Sequence, residues 1–424
     1  MSKKTKRVIF SFWDGGAGHL IRTVSMAREA RKRGFEIGFI SSEKYTDWIL
    51  NEIPDSKIYI IPNRNPKAQP PPYPFPVYSH AFGHAQRLRG LKFDDTAWLK
   101  KTIEKEVDVL RQFRPSVIIN DYRDTIKVAA EVLGIPIVGV TKSTGNPSGY
   151  TFGWWVTPPS RMILPDCRES FNIVRKKFGL PFIQDEREMF TGTISIIPSI
   201  RELDPLVRES RHSYYVGLLS NWWRNEDSVE LISKNIPKVF SYIGEKTRPQ
   251  YGYESILMRV MKSLPDIGFY VVGNPERYKA FTMKGPKGQR KIIVEEYMPA
   301  NKLIPECSVV LSHGGGETVL LALSHGIPVI CIGPFTSEQA TFFRWVEKQN
   351  AGLLIPHSDK PLKRMKAPDL GDGIEIMGYW KSEINSGQII TAINEVLGNS
   401  QYTKNAQRLA KSINALGGML AQKS

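Results

Sequence analysis

The sequence predicts an α/β protein made of two consecutive domains, each a parallel sheet covered by helices. Its 424 residues exceed what one ordinary core holds, so about two to three domains are expected. Apolar strands alternate with helical patterns along most of the chain, and this alternation breaks near residues 217–227 before it starts again. We therefore place an N-terminal domain at 1–218, a linker at 219–236, a C-terminal domain at 237–385 and terminal helices at 386–424.

The first unit of the chain runs strand, glycine turn, helix, strand. An apolar strand at 8–12 precedes a turn that ends in Gly16, Gly18 and His19, and a helical pattern follows before the next strand at 35–40. Ligands of doubly wound sheets bind at the carboxyl ends of the strands, so this turn is a candidate site. Its glycine spacing does not match the dinucleotide-binding fingerprint.

A second strand of the first domain ends in an acid. The strand at 117–119 leads to Asp121, and a helix at 125–133 and a strand at 135–140 follow. Because the carboxyl ends of parallel strands meet at one edge of a sheet, the side chains of Asp121 and His19 can approach each other. Two interpretations of His19 stay open at this point: a pair with Asp121, or a packing or capping role.

Two segments of the first domain are predicted to be loops. Residues 62–82 hold seven prolines among four aromatic side chains, which excludes regular helix or central strand. Residues 145–165 are also expected to be loop. Either segment covers an acceptor or simply packs on the domain, and both interpretations stay open. His80 and His84 have i, i+4 spacing, but no third ligand is evident, so no metal site is predicted.

The second domain contains a longer glycine turn, between a strand at 308–311 and a strand at 327–332. In order, this turn holds His313, Gly314, Gly315, Gly316, Glu317 and Thr318. Glycines let a ligand approach the backbone, and the free amides at a helix start favour an anion such as a diphosphate. Close packing of helix on strand is the alternative for such a turn. Terminal helices are expected at 388–398 and 403–416.

The net charge of +16 is the strongest feature of the composition. Residues 1–34 hold nine Lys/Arg against two Asp/Glu, which suits contact with an anionic membrane or a polyanionic substrate. A solvated basic surface is the alternative. No nucleic-acid-binding motif occurs, so no nucleic-acid partner is predicted. No apolar run reaches the ~18 residues of a membrane span.

Three widely separated cysteines, Cys167, Cys307 and Cys331, show no metal-binding spacing. They are expected to be buried thiols in a reducing compartment. The sequence therefore predicts a cytoplasmic protein, associated with the inner face of the membrane if the basic surface meets anionic lipid.

Taken in order, these pieces resemble the GT-B glycosyltransferases, specifically the inverting, nucleotide-sugar-dependent enzymes that include plant and macrolide glycosyltransferases. The resemblance covers most of the chain. It rests on the turn that ends in His19, on Asp121, and on C-terminal pieces at 296–299, 313–318, 326–328 and 338–339. It implies two Rossmann-like domains that face each other across a cleft, with the C-terminal helices crossing back to the N-terminal domain.

The resemblance implies roles for the matching residues. His19 is the general base that takes the proton from the acceptor hydroxyl, and Asp121 orients its ring. The turn at 313–318 holds the diphosphate without a metal, and an aromatic residue stacks on the base while an acid–amide pair bonds the sugar hydroxyls. The implied donor-binding residues are Gly16, Gly18, Gly244, Tyr297, His313, Gly314, Gly315, Gly316, Glu317, Thr318, Glu338 and Gln339.

The sequence departs from the family at three donor positions. Glu317 stands where the family commonly has Asn, Leu321 where it has a Glu for the ribose hydroxyls, and Ala300 where it has Gln. A leucine cannot accept hydrogen bonds from a ribose. Either another residue takes over this role, or the donor is not the usual uridine nucleotide.

The resemblance thus implies a hexosyl- or N-acetylhexosaminyltransferase that uses a UDP-linked sugar as co-substrate, with no cofactor and no metal. Its acceptor would carry a hydroxyl and be a lipid or a small hydrophobic molecule. Two alternatives stay open. One is a sugar-nucleotide epimerase of the same architecture, which would need carboxylates in the cleft. The other is a catalytically silent protein that binds a nucleotide sugar or a polyanion.

Overall fold

The computed structural model describes residues 6–68, 78–79, 86–150, 166–220, 230–243, 252–278, 291–334, 336–367, 370, 372–379 and 381–416. Within these ranges the protein is an α/β fold with two parallel sheets, which confirms the predicted fold class. Part of the predicted linker, residues 221–229, lies outside the described residues, as do most of the proline-rich segment and most of the loop at 145–165.

The described strands are, in chain order, β1 (Arg7–Phe12), β2 (Glu36–Ser41), β3 (Lys57–Ile60), β4 (Tyr78–Ser79), β5 (Val117–Asp121), β6 (Ile137–Val140), β7 (Ile194–Ile197), β8 (Ser213–Tyr215), β9 (Lys238–Tyr242), β10 (Gly268–Val272), β11 (Ile292–Glu295), β12 (Val309–Ser312), β13 (Val329–Ile332), β14 (Gly352–Ile355), β15 (Lys363–Lys366) and β16 (Glu375–Tyr379). The described α-helices are α1 (Ala17–Lys32), α2 (Thr46–Glu52), α3 (Thr96–Phe113), α4 (Ile126–Leu133), α5 (Arg168–Lys177), α6 (Tyr253–Ser263), α7 (Ala300–Leu303), α8 (Gly316–Ser324), α9 (Ser337–Lys348), α10 (Ser386–Gly398) and α11 (Ser400–Ala415).

The first sheet has seven parallel strands in the order β3-β2-β1-β5-β6-β7-β8. The strand order reverses between β1 and β5, and this is the point at which an open parallel sheet leaves a crevice for a ligand. In the register of these two strands, Phe12 lies opposite Asp121. The two strand tips are therefore level, so the turn after β1 and the residue that ends β5 lie side by side.

The second sheet has six parallel strands in the order β11-β10-β9-β12-β13-β14. Its strand order reverses between β9 and β12, and Ser312 at the end of β12 lies opposite Tyr242 at the end of β9. The glycine turn after β12 consequently begins at the switch point of the second sheet. Both candidate turns thus follow from the same topological rule.

A third, antiparallel sheet has the order β15-β16-β4. Ser79 of β4 lies opposite Gly378 of β16, and Tyr78 lies opposite Tyr379. A piece of the proline-rich segment of the first domain is therefore paired with a hairpin of the second. The sequence predicted only loop at 62–82, whereas these two residues form an edge strand.

The last helix connects the end of the first domain to the second. Asn414 Nδ2 of α11 donates to Ser324 O at the end of α8 over 3.0 Å. A Cβ on Gly217 would lie only 2.8 Å from Ile413 O, so the chain near 217 runs directly against α11. Leu218 shares one apolar core with Ile413 and the second domain. The helix α11 begins at Ser400, three residues before the predicted start.

All three cysteines are buried, as predicted. Among the described residues, none of the helices combines the length and the apolar character that crossing a membrane requires. The same residues contain no group of three or more histidine, cysteine or carboxylate side chains arranged to hold a metal ion.

Candidate active site

The structure brings the two predicted catalytic residues into direct contact. His19 Nδ1 lies 2.7 Å from Asp121 Oδ1, and the Asp121 side chain is fully buried while 19% of the His19 side chain is exposed. A carboxylate oxygen accepts, so Nδ1 carries the ring proton and Nε2 keeps its lone pair in the neutral ring. The rings of Trp13 and Tyr122 meet the His19 ring edge-on, at centroid distances of 5.2 and 5.7 Å. The imidazole is therefore fixed both in tautomer and in orientation.

The backbone around Asp121 explains why its side chain points at the first turn. Trp13 N donates to Asp121 O over 2.8 Å, which extends the β1–β5 pairing by one residue. The next residue, Tyr122, then adopts a left-handed conformation with φ +63°, which is uncommon for a side chain of this size. Its hydroxyl accepts from Lys142 N over 3.0 Å and from the Thr141 hydroxyl over 3.1 Å. These bonds hold the sharp turn that ends β5.

Arg22 is a site residue that the sequence analysis missed. Its Nε and Nη2 donate to the two Asp121 carboxylate oxygens, over 2.9 and 2.8 Å, in a bidentate pair that is almost completely buried. Burial alone would raise the pKa of Asp121, but the Arg22 guanidinium and, less strongly, His19 outweigh it and lower the pKa to about 2. Asp121 is consequently an anion at every physiological pH.

Arg22 also links the two domains. Its Nη1 donates to Glu317 Oε1 over 2.8 Å, and the other Glu317 oxygen accepts from the Ser220 hydroxyl at 2.5 Å. A Cβ on Gly18 would lie 3.5 Å from Glu317 Cγ, so α1 passes directly beside this side chain. The Glu317 carboxylate is therefore neutralised by a cation of the first domain. This contact explains how a carboxylate can stand beside a turn that is predicted to bind a diphosphate.

The glycine turn of the second domain leaves the N-terminus of α8 without a capping side chain. Gly314 has φ +86°, and a Cβ there would lie 2.9 Å from Cys331 Sγ. Gly315 is the N-cap of α8 and has no side chain that could satisfy the first amides of the helix. His313 Nδ1 lies 3.3 Å from Tyr242 O, and its Nε2 lies 3.1 Å from the place where a Cβ on Gly315 would be. The ring thus lies over the turn.

A second residue that the sequence analysis missed is Lys142. It lies two residues after the end of β6, the residue is 3% exposed, and its Nζ donates to Pro198 O over 2.9 Å. A Cβ on Gly316 would lie 3.1 Å from that Nζ. The ammonium of the first domain therefore lies at the first residue of α8.

The predicted sugar-bonding pair begins α9. Gln339 takes part in a capping box, in which its backbone amide donates to Thr336 Oγ1 over 3.1 Å and its Oε1 accepts from Thr336 N over 3.3 Å. Burial and, next, the Glu338 carboxylate raise the pKa of the Tyr122 hydroxyl.

The remaining predicted donor residues are less closely defined. Gly16 is the N-cap of α1, Thr318 lies in the first turn of α8, and Tyr297 is half-buried just before α7. Gly244 lies outside the described residues. Leu321 is 8% exposed and packs in the core of the second domain, so it cannot bind a ribose.

Both missed residues had a signal in the sequence. Arg22 is three residues after His19, which places both on one face of α1. Lys142 lies just after the carboxyl end of a predicted strand, where the rule that identified Asp121 also applies.

Comparison with known proteins gives relatives that span almost the whole chain. The chain is 20% identical to a PGL/p-HBAD biosynthesis glycosyltransferase of Mycobacterium tuberculosis over 445 residues, which cover 96% of this chain and 89% of the relative. It is 21% identical to a PGL/p-HBAD biosynthesis rhamnosyltransferase of Mycobacterium bovis over 442 residues, covering 97% and 85%. No family model matches the chain.

A solved structure matches the fold over the same length. The spinosyn rhamnosyltransferase complexed with thymidine diphosphate has a TM-score of 0.63 and 17% identity, and the match covers 97% of this chain and 96% of that one. The fold of this chain is therefore GT-B. The two relatives, which span almost the whole chain, support its activity, and the chain is a glycosyltransferase.

Proposed function

We propose that this glycosyltransferase moves a sugar from a nucleotide-diphosphate sugar to a hydroxyl of a lipid or small hydrophobic acceptor, with inversion at the anomeric carbon. The observation that carries the proposal is the 2.7 Å bond between His19 Nδ1 and the buried Asp121 carboxylate. It leaves Nε2 as the basic atom, and the anion beside the ring stabilises the imidazolium that forms when Nε2 takes a proton.

The reaction would be a single displacement. His19 Nε2 accepts the proton of the acceptor hydroxyl while its oxygen attacks the anomeric carbon from the side opposite the diphosphate. The carbon–oxygen bond to the diphosphate breaks, and the negative charge that develops on the departing group is stabilised by the α8 amides and by His313. One displacement inverts the anomeric centre. No metal is needed in this scheme.

The donor base and sugar are proposed from the second domain. Because Leu321 is buried in the core, the ribose must be bound by residues other than the family's usual acid. The matched spinosyn rhamnosyltransferase is complexed with thymidine diphosphate, and one of the relatives is a rhamnosyltransferase. Both findings support testing thymidine as well as the predicted uridine nucleotides. A 6-deoxyhexose joins the predicted hexose and N-acetylhexosamine as a candidate sugar.

The proposed acceptor is apolar with one reactive hydroxyl. The half-buried Trp13 beside His19 supports this choice, because an aromatic wall next to the base favours an apolar acceptor. Contact with the inner face of an anionic membrane, in the cytoplasm, remains part of the proposal and is supported by the basic composition.

The test is turnover with uridine and thymidine diphosphate sugars and a panel of aryl and alkyl alcohols, measured as nucleoside diphosphate release and as glycoside mass. His19→Gln should lower kcat by about 10²- to 10⁴-fold. Its affinity for the nucleoside diphosphate should stay within about threefold of wild type. His212→Gln, at an exposed histidine, is the matched control and should leave kcat unchanged.

Equal turnover of wild type and His19→Gln would overturn the assignment of the base. Tight nucleotide-sugar binding without turnover of any acceptor would favour the silent binding protein instead. Exchange of sugar stereochemistry without an acceptor would favour the epimerase.

A further inference from the structure

In the described part of the chain, the buried ammonium of Lys142 forms no direct ion pair with a carboxylate, although its charge acts on nearby Asp204. The residue is 3% exposed, its Nζ donates to Pro198 O over 2.9 Å, and it lies 5.0 Å from the centre of the Phe342 ring. One carbonyl and one aromatic face compensate a buried charge poorly.

The nearby buried acid is already engaged elsewhere. The Asp204 carboxylate accepts from Ser143 N over 3.2 Å and from the Ser143 hydroxyl. Burial raises the pKa of Asp204, and Lys142 only partly opposes this rise. The Asp204 carboxylate therefore accepts hydrogen bonds from the loop after β6 and does not form a direct ion pair with the Lys142 ammonium.

The ammonium lies beside the N-terminus of α8. A Cβ on Gly316 would lie 3.1 Å from Lys142 Nζ and 3.3 Å from its Cε. Gly316 begins α8, a helix of nine residues whose N-cap is a glycine without a capping side chain. A helix N-terminus of one domain and a buried cation of the other thus face the same space, and both favour negative charge.

We propose that Lys142 binds the diphosphate of the nucleotide-sugar donor, so that both domains hold the leaving group. This inference rests on the proposed function and adds a residue of the first domain to a site otherwise built from the second. The ammonium keeps its proton throughout. Its N–H groups donate to non-bridging phosphate oxygens, and its charge stabilises the negative charge that grows on the diphosphate as the bond to the sugar breaks.

The direct test is calorimetric binding of uridine diphosphate and thymidine diphosphate, each compared with its free nucleoside. Lys142→Met should weaken binding of the preferred diphosphate by about 10- to 100-fold, since a hydrogen-bonded charge pair is lost. Binding of the nucleoside should change by less than about threefold, because the nucleoside has no phosphate. Lys142→Arg, which keeps the charge, should retain most of the affinity.

The matched control is Lys127→Met. Lys127 is another largely buried lysine of the first domain; its ammonium donates to Glu188 O and lies 3.8 Å from Glu131 Oε1. This variant should bind the diphosphate like wild type. Should Lys142→Met fail to fold, Lys142→Gln keeps a donor for Pro198 O without the charge and provides the same comparison.

The outcomes separate this inference from the proposed function. If wild type binds neither diphosphate, the donor site itself is wrong. If wild type binds a diphosphate and both neutral variants bind it equally well, the donor site stands and the role of Lys142 is overturned. An equal loss for diphosphate and nucleoside would also overturn it, because that pattern indicates a structural role.

Discussion

Arg22 joins Asp121, which ends β5 of the first domain, to Glu317, which lies in the first turn of α8 in the second. Its guanidinium makes two bonds to Asp121 and one to Glu317, and Asp121 is fully buried. A buried carboxylate that loses its cation is strongly destabilised. In the proposed mechanism, Arg22 is therefore a positioning residue, which acts on the reaction through Asp121 and His19.

The buried pair of Arg22 with Asp121 predicts how substitutions at these two residues change the free energy of unfolding. Arg22→Met should lower the free energy of unfolding by about 3–5 kcal/mol, measured by urea denaturation, because Asp121 is left buried without its cation. The double variant Arg22→Met/Asp121→Asn should recover much of that loss without recovering turnover. Arg33→Met, which breaks an exposed pair with Glu29, is the control and should change stability by less than about 1 kcal/mol. An equally small effect at Arg22 would contradict the buried-pair account.

The residue scale also shows where sequence reasoning stopped. His19 and Asp121 were predictable because each follows a recognisable strand, and strand tips meet. The bond between Arg22 and Glu317 joins residues that are 295 positions apart and depends on how the two domains face each other. No local sequence pattern encodes how the domains face each other. The sequence could therefore show that Arg22 shares a helical face with His19, but it could not show that Arg22 pairs with Glu317.

At the scale of elements, the unit from β12 to α8 was predictable because its signals are local. A buried strand, a glycine turn and a helical pattern follow one another without interruption. The edge strands gave weaker signals. β3 has no fully buried residue, and in β15 only Met365 is buried among three exposed cations. Where one face of a strand is not covered, the alternation that identifies it fades.

The glycine turn between β12 and α8 should tolerate a side chain at Gly314 poorly. Gly314→Ala should destabilise the protein by about 1–3 kcal/mol, because alanine is disfavoured at φ +86° and its Cβ would lie 2.9 Å from Cys331 Sγ. The same strain should displace the α8 amides and weaken diphosphate binding in calorimetry. Gly398→Ala, whose Cβ would meet no atom within 4 Å, is the control and should be neutral or slightly stabilising. Wild-type stability and affinity in Gly314→Ala would rule out a strained phosphate turn.

At the scale of the whole molecule, counting Lys and Arg in residues 1–34 overstates how many positive charges are left without an acidic partner. Six of the nine cations in residues 1–34 form ion pairs, namely Arg7, Arg22, Arg28, Arg31, Lys32 and Arg33. Lys3 and Lys4 lie outside the described residues. The sequence gives the number of charges but not their partners, so membrane contact stays a prediction with weaker support from this segment.

Contacts between the two halves of the molecule include the bond of Arg22 with Glu317, the approach of α11 to Gly217, and the pairing of β4 with β16. The strand pairing is the contact that a cross-link can test. Ser79 and Gly378 lie directly opposite each other in an antiparallel pair. Opposed Cα atoms in such a pair are about 4.5–5.5 Å apart, which falls in the range that a disulfide bridges.

A variant with Ser79→Cys and Gly378→Cys should therefore form a disulfide, and the buried native thiols should not compete with it. Because donor and acceptor must enter the cleft between the domains, oxidation should lower kcat by about tenfold, and reduction should restore it. Each single variant is the control and should respond to neither treatment. If the fully cross-linked enzyme has the same kcat as the enzyme with its disulfide reduced, the prediction is contradicted. That result would show that β4 and β16 stay paired during catalysis and that substrates reach the His19–Asp121 pair by another opening.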